Sequence, residues 1–358
     1  MTGHTGEDLV RAHADSAGWI DVGTVNDRRA REEQEAATLR PGATLAHGAG
    51  DRAVAEEPDP ERTCFERDHD RIVHSAAFRR LAGKTQVVVY PNDHQRTRLT
   101  HAIEVAQVAT SIARGIGANA TLAETIALGH DCGHGPGGHA SEDAFDPYLP
   151  EGYDHGPWGA DVVLAPLNLC RETLDGIRNH SWSRPGPETV EGEVVSWADR
   201  IAYCAHDLED AVHAGIVAER DLPDDVAELC GRDRRTQLSR FIRGVISATV
   251  RTNRVGMEPE LAGALSSLRR FNYERIYTRP ASLAQSRAVI KILQALVEHY
   301  AARPTDIPWP VAVHPGGAEA VRAAVAYVGG MTDRFAFDSA VRLLGWPVDE
   351  LPMGIDRH

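Results

Sequence analysis

The sequence predicts an all-α protein. Beyond residue 60, most of the chain carries apolar residues at the three-to-four-residue spacing of an amphipathic helix. Clusters of glycine and proline separate these periodic stretches, as expected where one helix ends and the next begins. The stretch from Lys84 to Tyr90 is rich in β-branched residues, and an extended connection explains it as well as a short strand does.

Composition bounds the class of protein. The chain has 358 residues, of which 42% are hydrophobic, and this suits one large or two small globular domains. The formal net charge of −14 does not favour a broad nucleic-acid-binding face. The five cysteines form no CxxC pair, so we expect reduced thiols. Because no apolar run has membrane-spanning length and no signal sequence is evident, we expect a cytoplasmic protein without membrane association.

Residues 1–60 show no sustained apolar period, and several Gly and Pro pairs interrupt them. We predict a mostly irregular N-terminal segment with one helix near residues 26–37. An oligomerisation arm is the alternative interpretation of this segment. From residue 61 the pattern becomes regular, and residues 68–81 are predicted to form a helix.

The central stretch, residues 98–142, organises the chain. Apolar residues at helical spacing predict a helix that carries His101 near its start. A second helix is predicted over residues 122–128, with Asn119 or Thr121 as its cap, and it ends at His130 and Asp131. A glycine-rich turn follows, and it bears His134, His139 and Glu142.

Imidazole and carboxylate groups at this density suit a divalent first-row metal. The alternative is a histidine-rich surface loop. The dipeptide His-Asp also occurs at residues 69–70 and 206–207, so it is weak evidence alone. The copy at residues 130–131 is favoured because a histidine lies on the preceding helix and a His/Glu pair follows.

Three shorter segments follow the central stretch. Residues 147–159 form a predicted loop with His155, residues 160–169 a predicted helix, and residues 174–182 a short helix with His180 near its end. The remaining predicted helices are 191–212, 235–250, 258–269, 283–301, 317–328 and 337–344.

The predicted helix 191–212 carries Asp199 inside its apolar stripe. A carboxylate on a buried helix face is costly unless it is paired or bound to a metal. A salt-bridged core aspartate is the alternative, but the other histidine and aspartate residues favour a metal ligand. Tyr203 and Asp207 lie four and eight residues further on and share the face of Asp199, which predicts a pocket wall.

Six segments resemble the deoxyguanosine triphosphate triphosphohydrolase (dNTPase) family of HD-domain metal-dependent phosphohydrolases. They are RDHDRIVHSAAFRRLAGKTQV (67–87), RTRLTHAIEVAQ (96–107), HDCGHGPGGHASED (130–143), TVEGEVVSWADRIAYCAHDLEDA (189–211), LRRFNYERIY (268–277) and GGMTDRFA (329–336). The resemblance covers about residues 60–345. It implies an HD-domain helical bundle over residues 61–220, with additional C-terminal helices over residues 221–358 that pack on this core.

The family hydrolyses a dNTP to the deoxynucleoside and inorganic triphosphate, and its members are usually homo-oligomers. The residues that match its metal ligands are His101, His130, Asp131 and Asp199. Those that match its catalytic residues are His139, Glu142 and His155. Those that match its substrate contacts are Gln86, Val87, Arg98, His134, Tyr203 and Asp207. The expected cofactor is a divalent metal: Mn²⁺, Mg²⁺, Fe²⁺, Ni²⁺ or Co²⁺.

The chain departs from the family pattern around His155 and at Gly137-Gly138, ahead of His139. These departures affect the expected substrate preference more than the expected metal site. A second metal held by His155 and His180 is a less favoured alternative. The competing functions are an HD-type 5′-nucleotidase or phosphohydrolase that acts on a mono- or modified nucleotide, and a nucleotide sensor without turnover. The resemblance also allows weak single-stranded nucleic-acid binding, for which the acidic total gives no support.

Overall fold

A computed structural model describes residues 4–5, 9–13, 15–87, 95–309 and 313–352. Within these residues the fold is helical, which confirms the predicted class. Two short strands, β1 (His4–Thr5) and β2 (Val10–Arg11), pair antiparallel. The helices are α1 (Arg28–Thr38), α2 (Cys64–His74), α3 (Ala76–Arg80), α4 (Arg98–Ile116), α5 (Ala120–Gly129), α6 (Ala140–Phe145), α7 (His155–Trp158), α8 (Arg171–Asn179), α9 (Val190–His213), α10 (Asp224–Cys230), α11 (Arg234–Thr252), α12 (Pro259–Asn272), α13 (Pro280–Ala302), α14 (Ala318–Gly329) and α15 (Asp333–Leu344).

Two apolar cores hold these helices together. In the first core, α4 and α5 pack against each other and against α9, while α2 and α8 cover α5. In the second, α13 packs on α6, α14 and α15. Each fully buried aliphatic side chain, such as Ile112 or Leu293, contributes about 1.5–3 kcal/mol to folding.

The five cysteines are buried, and none of them forms a disulfide. None of the described helices has the length and apolar character of a membrane span.

The helix predicted over residues 68–81 is wrong in its bounds. Helix α2 begins earlier, at Cys64, because Thr63 and Glu66 form a capping box at its start. Ser75 then ends this helix: its backbone is extended, and its hydroxyl accepts a hydrogen bond from the amide of Phe78 at the start of α3. An apolar period does not reveal such a break, because the stripe continues on both sides.

One further local prediction is wrong. Residues 160–169 are not an α-helix but a π-helical turn, Gly159–Val163, followed by a 3₁₀ turn, Ala165–Leu167. For the segment predicted as a strand or a connection, the described residues Lys84 to Val87 agree with the connection, since they form only an isolated bridge between Thr85 and Thr97. Residues 88–90 lie outside the described residues.

The segment before α2 is tied to the first core by buried ionic groups. The guanidinium of Arg52 lies 2.6 Å from the carboxylate of Asp68, and both side chains are almost fully buried. Arg52 also donates to the carbonyls of Ala49, Cys64 and Asn168. Residues 49–68 are thereby fastened to the chain that leads into α8.

Replacing Arg52 with alanine is expected to lower the free energy of unfolding by about 3–5 kcal/mol, because it leaves the Asp68 carboxylate buried without its ion pair. Arg29, which is exposed in α1, offers the matched control, since Arg29→Ala should change stability by less than about 0.5 kcal/mol. Urea unfolding of both variants measures the difference. Equal midpoints would contradict the structural role of Arg52.

Candidate functional site

A cavity of about 480 Å³ opens between the two cores. Residues from α4, α9, α12 and α13 and from the glycine-rich turn form its walls. The predicted site residues that line it are Gln86, Val87, Arg98, His101, Asp131, His134, His139, His155, Asp199, Tyr203 and Asp207. The remaining two, His130 and Glu142, contact these lining residues. The fold therefore brings all the predicted site residues together.

The four predicted metal ligands converge from three helices. His101 lies in the first turn of α4, His130 and Asp131 directly follow α5, and Asp199 lies in α9. Asp199 Oδ1 lies 3.1 Å from His101 Nε2 and 3.6 Å from His130 Nε2. Asp131 Oδ1 lies 3.4 Å from His130 Nε2. Ligand atoms of His101, His130 and Asp131 lie within 4.8 Å of one another, and so do those of His130, Asp199 and His180, so His130 belongs to two groups with metal-ligand spacing.

The orientation of the His130 ring supports this use. Its Nδ1 donates to the carbonyl of Ala127 at 2.6 Å, so Nε2 is the ring nitrogen that faces the carboxylates. That Nε2 atom is buried and has no hydrogen-bond partner among the described residues. Although burial lowers the pKa of His130, Asp131 and Asp199 raise it to about 9, so Nε2 carries a proton that a bound metal would replace. A buried ring nitrogen held towards two carboxylates is typical of a metal-ligating histidine, and the donor set fits a divalent ion.

The charges around these ligands favour a bound cation. Burial alone would raise the pKa values of Asp131 and Asp199, but their charged neighbours lower both well below the usual range. Arg98 is the main such neighbour of Asp131, and His101 and His130 are those of Asp199. Two ionised carboxylates thus share a buried site, where a divalent ion would neutralise them.

Arg98 is one of the largest fully buried side chains. Its Nη1 donates to Asp131 Oδ2 at 2.6 Å, whereas Nε and Nη2 have no hydrogen-bond partner among the described residues. The loop closes tightly on this group, since a Cβ added at Gly138 would lie 2.6 Å from Nη2. A buried guanidinium with free donors on a cavity wall is suited to oxygens of an anion.

Glu142 lies at the centre of a histidine cluster. His155 Nδ1 donates to its carboxylate at 2.5 Å, and the nearest nitrogens of His134 and His139 are each 3.5 Å from it. Although burial lowers the pKa of His155, the hydrogen bond and charge of Glu142 raise it above the usual value. His139 differs from its neighbours because its side chain is 73% exposed.

His155 has a second partner in His180. Their Nε2 atoms lie 3.1 Å apart, while His180 Nδ1 donates to the carbonyl of Ile177 at 2.8 Å. Burial and the neighbouring charges of His130 and His155 lower the pKa of His180 to about 3, so its ring stays neutral and its Nε2 accepts a hydrogen bond from charged His155. Asp131, His155 and His180 also have metal-ligand spacing, so a second cation is the alternative to this hydrogen bond.

A second wall of the cavity continues along α9 from Asp199 and includes α12 and the π-helical turn Tyr273–Tyr277. The hydroxyl of Tyr277 donates to Asp207 Oδ2 at 2.5 Å, and Arg269 Nε donates to the Tyr203 hydroxyl at 3.0 Å. Asp207 Oδ1 is buried and has no hydrogen-bond partner among the described residues. It is therefore free to accept a hydrogen bond from a bound hydroxyl group.

The buried carboxyl of Asp207 predicts a measurable pH dependence. Burial raises its pKa from 3.8 to about 7, so the folded state holds this proton more tightly than the unfolded chain. The stabilising contribution is fully present below the unfolded value and is lost as pH rises through about 7. Between about pH 5 and about pH 8 the wild type should therefore lose about 2–3 kcal/mol relative to Asp207→Asn. Denaturant unfolding at both pH values measures it, and parallel pH profiles would contradict it.

Several lining residues were not predicted from the sequence. The guanidinium of Arg200 lies 3.5 Å from the ring centroid of Trp182, and both line the cavity. Arg269 also lines the cavity, whereas the C-terminal arginines Arg254, Arg270 and Arg334 are exposed and do not. Arg200 directly follows the predicted ligand Asp199, and that adjacency was a usable signal. Nothing local marks Trp182.

Comparison with known proteins agrees with this geometry. The HD domain family matches residues 98–204, and the phosphohydrolase-associated domain family matches residues 255–342. The first match spans all four predicted metal ligands. The second covers α12 to α14 and most of α15, which supply part of the second wall and part of the second core.

Two curated relatives match most of the chain, and each is named a deoxyguanosinetriphosphate triphosphohydrolase-like protein. That of Caldanaerobacter subterraneus subsp. tengcongensis is 37% identical over 86% of this chain and 93% of its own. That of Clostridium tetani is 36% identical over 78% and 85% respectively. A solved hypothetical protein from Aquifex aeolicus has a TM-score of 0.45 at 18% identity, covering 77% of this chain and 71% of its own, which is too low to add to the assignment. The chain belongs to the deoxyguanosinetriphosphate triphosphohydrolase-like family of HD-domain phosphohydrolases.

Proposed function

We propose that this enzyme hydrolyses a deoxynucleoside triphosphate to the deoxynucleoside and inorganic triphosphate. The observation that carries the proposal is the arrangement of the cavity. Asp199, Tyr203 and Asp207 follow one another along the face of α9 that lines the cavity. Arg98 and the other predicted metal ligands lie at the Asp199 end, and Tyr277 lies beside Asp207 in the second wall. A phosphatase that recognises a phosphate alone has no use for this second wall.

The metal part of the site follows from the donor set. A divalent ion held by His101, His130, Asp131 and Asp199 would neutralise charge on the α-phosphate and lower the pKa of a bound water. Arg98 is placed to bind phosphate oxygens through its free Nε and Nη2 donors. Its ion pair with Asp131 holds the guanidinium beside the ligands while it does so.

Proton transfer to the leaving group is assigned to the histidine cluster. The 5′-oxygen of a nucleoside leaves as an alkoxide, which is poor without a proton. His139 lines the cavity and has Glu142 3.5 Å away, so we assign it the role of general acid. His155, held by Glu142 and His180, keeps the Glu142 carboxylate in place.

The second wall is assigned to the deoxynucleoside. Asp207 Oδ1 would accept a hydrogen bond from the 3′-hydroxyl, and Tyr203 would pack against the sugar where a ribose 2′-hydroxyl needs room. Selection against a ribonucleotide would then be steric. Gln86 and Val87 line the same cavity and are assigned to the region near sugar and base.

Product analysis tests the proposal. Purified protein with Mn²⁺ is incubated with each of the four dNTPs and with a deoxynucleoside monophosphate, and ³¹P NMR identifies the phosphorus products. Inorganic triphosphate with free deoxynucleoside is the expected result, and it also reveals the base preference. Orthophosphate from the monophosphate, with all dNTPs intact, would instead establish the 5′-nucleotidase. Tight nucleotide binding without any product would indicate a sensor.

A further inference from the structure

Helix α15 contacts the cavity lining through the carboxylate at its start. Asp333, the first residue of α15, is buried. Its Oδ2 accepts hydrogen bonds from the amide and the hydroxyl of Thr85, the amide at 3.0 Å. Its Oδ1 accepts from the amide of Gly137 at 2.8 Å. Thr85 and Gly137 both line the cavity. Gly137 lies within the stretch that matches the HD domain family, whereas Thr85 precedes that stretch.

Lys84 makes a second link between the same segments. Its buried ammonium donates to the carbonyl of His134 in the glycine-rich turn and, at 3.0 Å, to the carbonyl of Gly329 at the end of α14. The side chains of Lys84 and Asp333 therefore join three segments: residues 84–87, the glycine-rich turn, and the junction of α14 with α15. The segment 84–87 has no helix or sheet of its own to fix its position.

The glycine-rich turn has little room to move at this contact. Gly137 has a φ of +73°, and a Cβ added there would lie 2.4 Å from a methyl carbon of Val289 in α13. A Cβ at Gly138 would lie 2.8 Å from the carbonyl oxygen of Thr85. The turn thus packs directly on both α13 and the 84–87 segment, and the Asp333 carboxylate bridges the two sides.

We propose that Asp333 is a positioning residue for catalysis: by bridging Thr85 and Gly137 it holds the segment carrying Gln86 and Val87 against the turn carrying His134 and His139. The inference rests on the proposed function, since Gln86, Val87 and His139 are assigned to substrate binding and proton transfer there. It gives the start of α15 a role in holding the active site in place. Errors of about 1 Å in such positioning reduce rates by roughly a hundredfold.

The chemistry of the bridge requires a carboxylate. Three donors converge on two oxygens, and an aspartate accepts all of them without offering a donor of its own. Asparagine has nearly the same shape, but its NH₂ group must face either the Gly137 amide or the Thr85 donors. One side of the bridge would then open while the packing of α15 stays the same. Asp333→Asn is therefore a sharper test than a truncation.

The experiment compares Asp333→Asn with Asp338→Asn, an exposed position on the same helix. For each protein we would measure metal content, thermal unfolding, kcat and KM for the preferred substrate, and hydrogen exchange of the peptides covering 84–87 and 133–139. Asp333→Asn is expected to keep its metal, lower kcat by roughly tenfold or more, and exchange faster in both peptides. Asp338→Asn should match the wild type in every measurement.

Two outcomes would overturn the inference. One is an unchanged kcat and KM in folded Asp333→Asn, and the other is unchanged exchange in the two peptides. Thr85→Val, which removes the hydroxyl but keeps the amide donor, should lose less rate, and its effect should not add to that of Asp333→Asn. The exchange measurement needs no substrate, so failure of the proposed function would leave this result readable on its own.

Discussion

Alanine at His130 is expected to remove the bound metal and to lower turnover by roughly a thousandfold or more. His130 is fully buried, and its free Nε2 faces both Asp131 and Asp199. Without it, the two carboxylates lose one of the two imidazoles that complete the donor set. Loss of the charge stabilisation that a metal gives to a phosphoryl group costs several kcal/mol, and each 1.36 kcal/mol is a factor of ten in rate. Metal analysis by mass spectrometry and steady-state kinetics on the same preparations measure the two effects.

His69 provides a matched control for this prediction. It belongs to another His-Asp dipeptide, but it lies at the surface beside Asp70 and Glu124. His69→Ala should keep the metal and full activity. This result would show that the surroundings of a His-Asp dipeptide, and not the dipeptide alone, make a metal site. His180→Ala should also keep the metal if the contact between His155 and His180 is only a hydrogen bond. A wild type with two metal ions per chain, of which His180→Ala loses one, would instead favour the second cation. Full metal content and turnover in His130→Ala would overturn the ligand assignment itself.

Much of this site was predictable because its residues sit at regular positions along helices. The spacing of apolar residues placed His101 near the start of one helix and Asp199 on the buried face of another, and both predictions agree with the structure. Periodicity also located the helix that ends at His130. Where a side chain depends on a helix period, sequence reasoning can state which face it occupies.

Other parts of the site depend on contacts between distant segments, which no local pattern contains. His180 reaches His155 only because α8 packs beside α7, and Asp333 reaches Gly137 from almost two hundred residues away. Arg52 lies in a segment predicted to be irregular, yet it forms a buried ion pair with Asp68. The helix break at Ser75 was missed for the opposite reason, because a local cap interrupted a stripe that continues.

Alanine at His139 is expected to keep the metal and nucleotide binding while it lowers kcat by about a hundredfold to ten-thousandfold, the range of general acid catalysis. The structure predicts a clean loss, because the His139 side chain is largely exposed and Glu142 keeps its 2.5 Å hydrogen bond with His155. A substrate with an acidic leaving group separates the possible causes. Bis(4-nitrophenyl) phosphate releases nitrophenolate, which departs without a proton, so His139→Ala should turn it over nearly as fast as the wild type does. An equal loss on this ester and on a dNTP would mean that His139 positions the phosphate instead of protonating the leaving group. A rise in the nucleotide dissociation constant that accounts for the whole defect would assign His139 to binding.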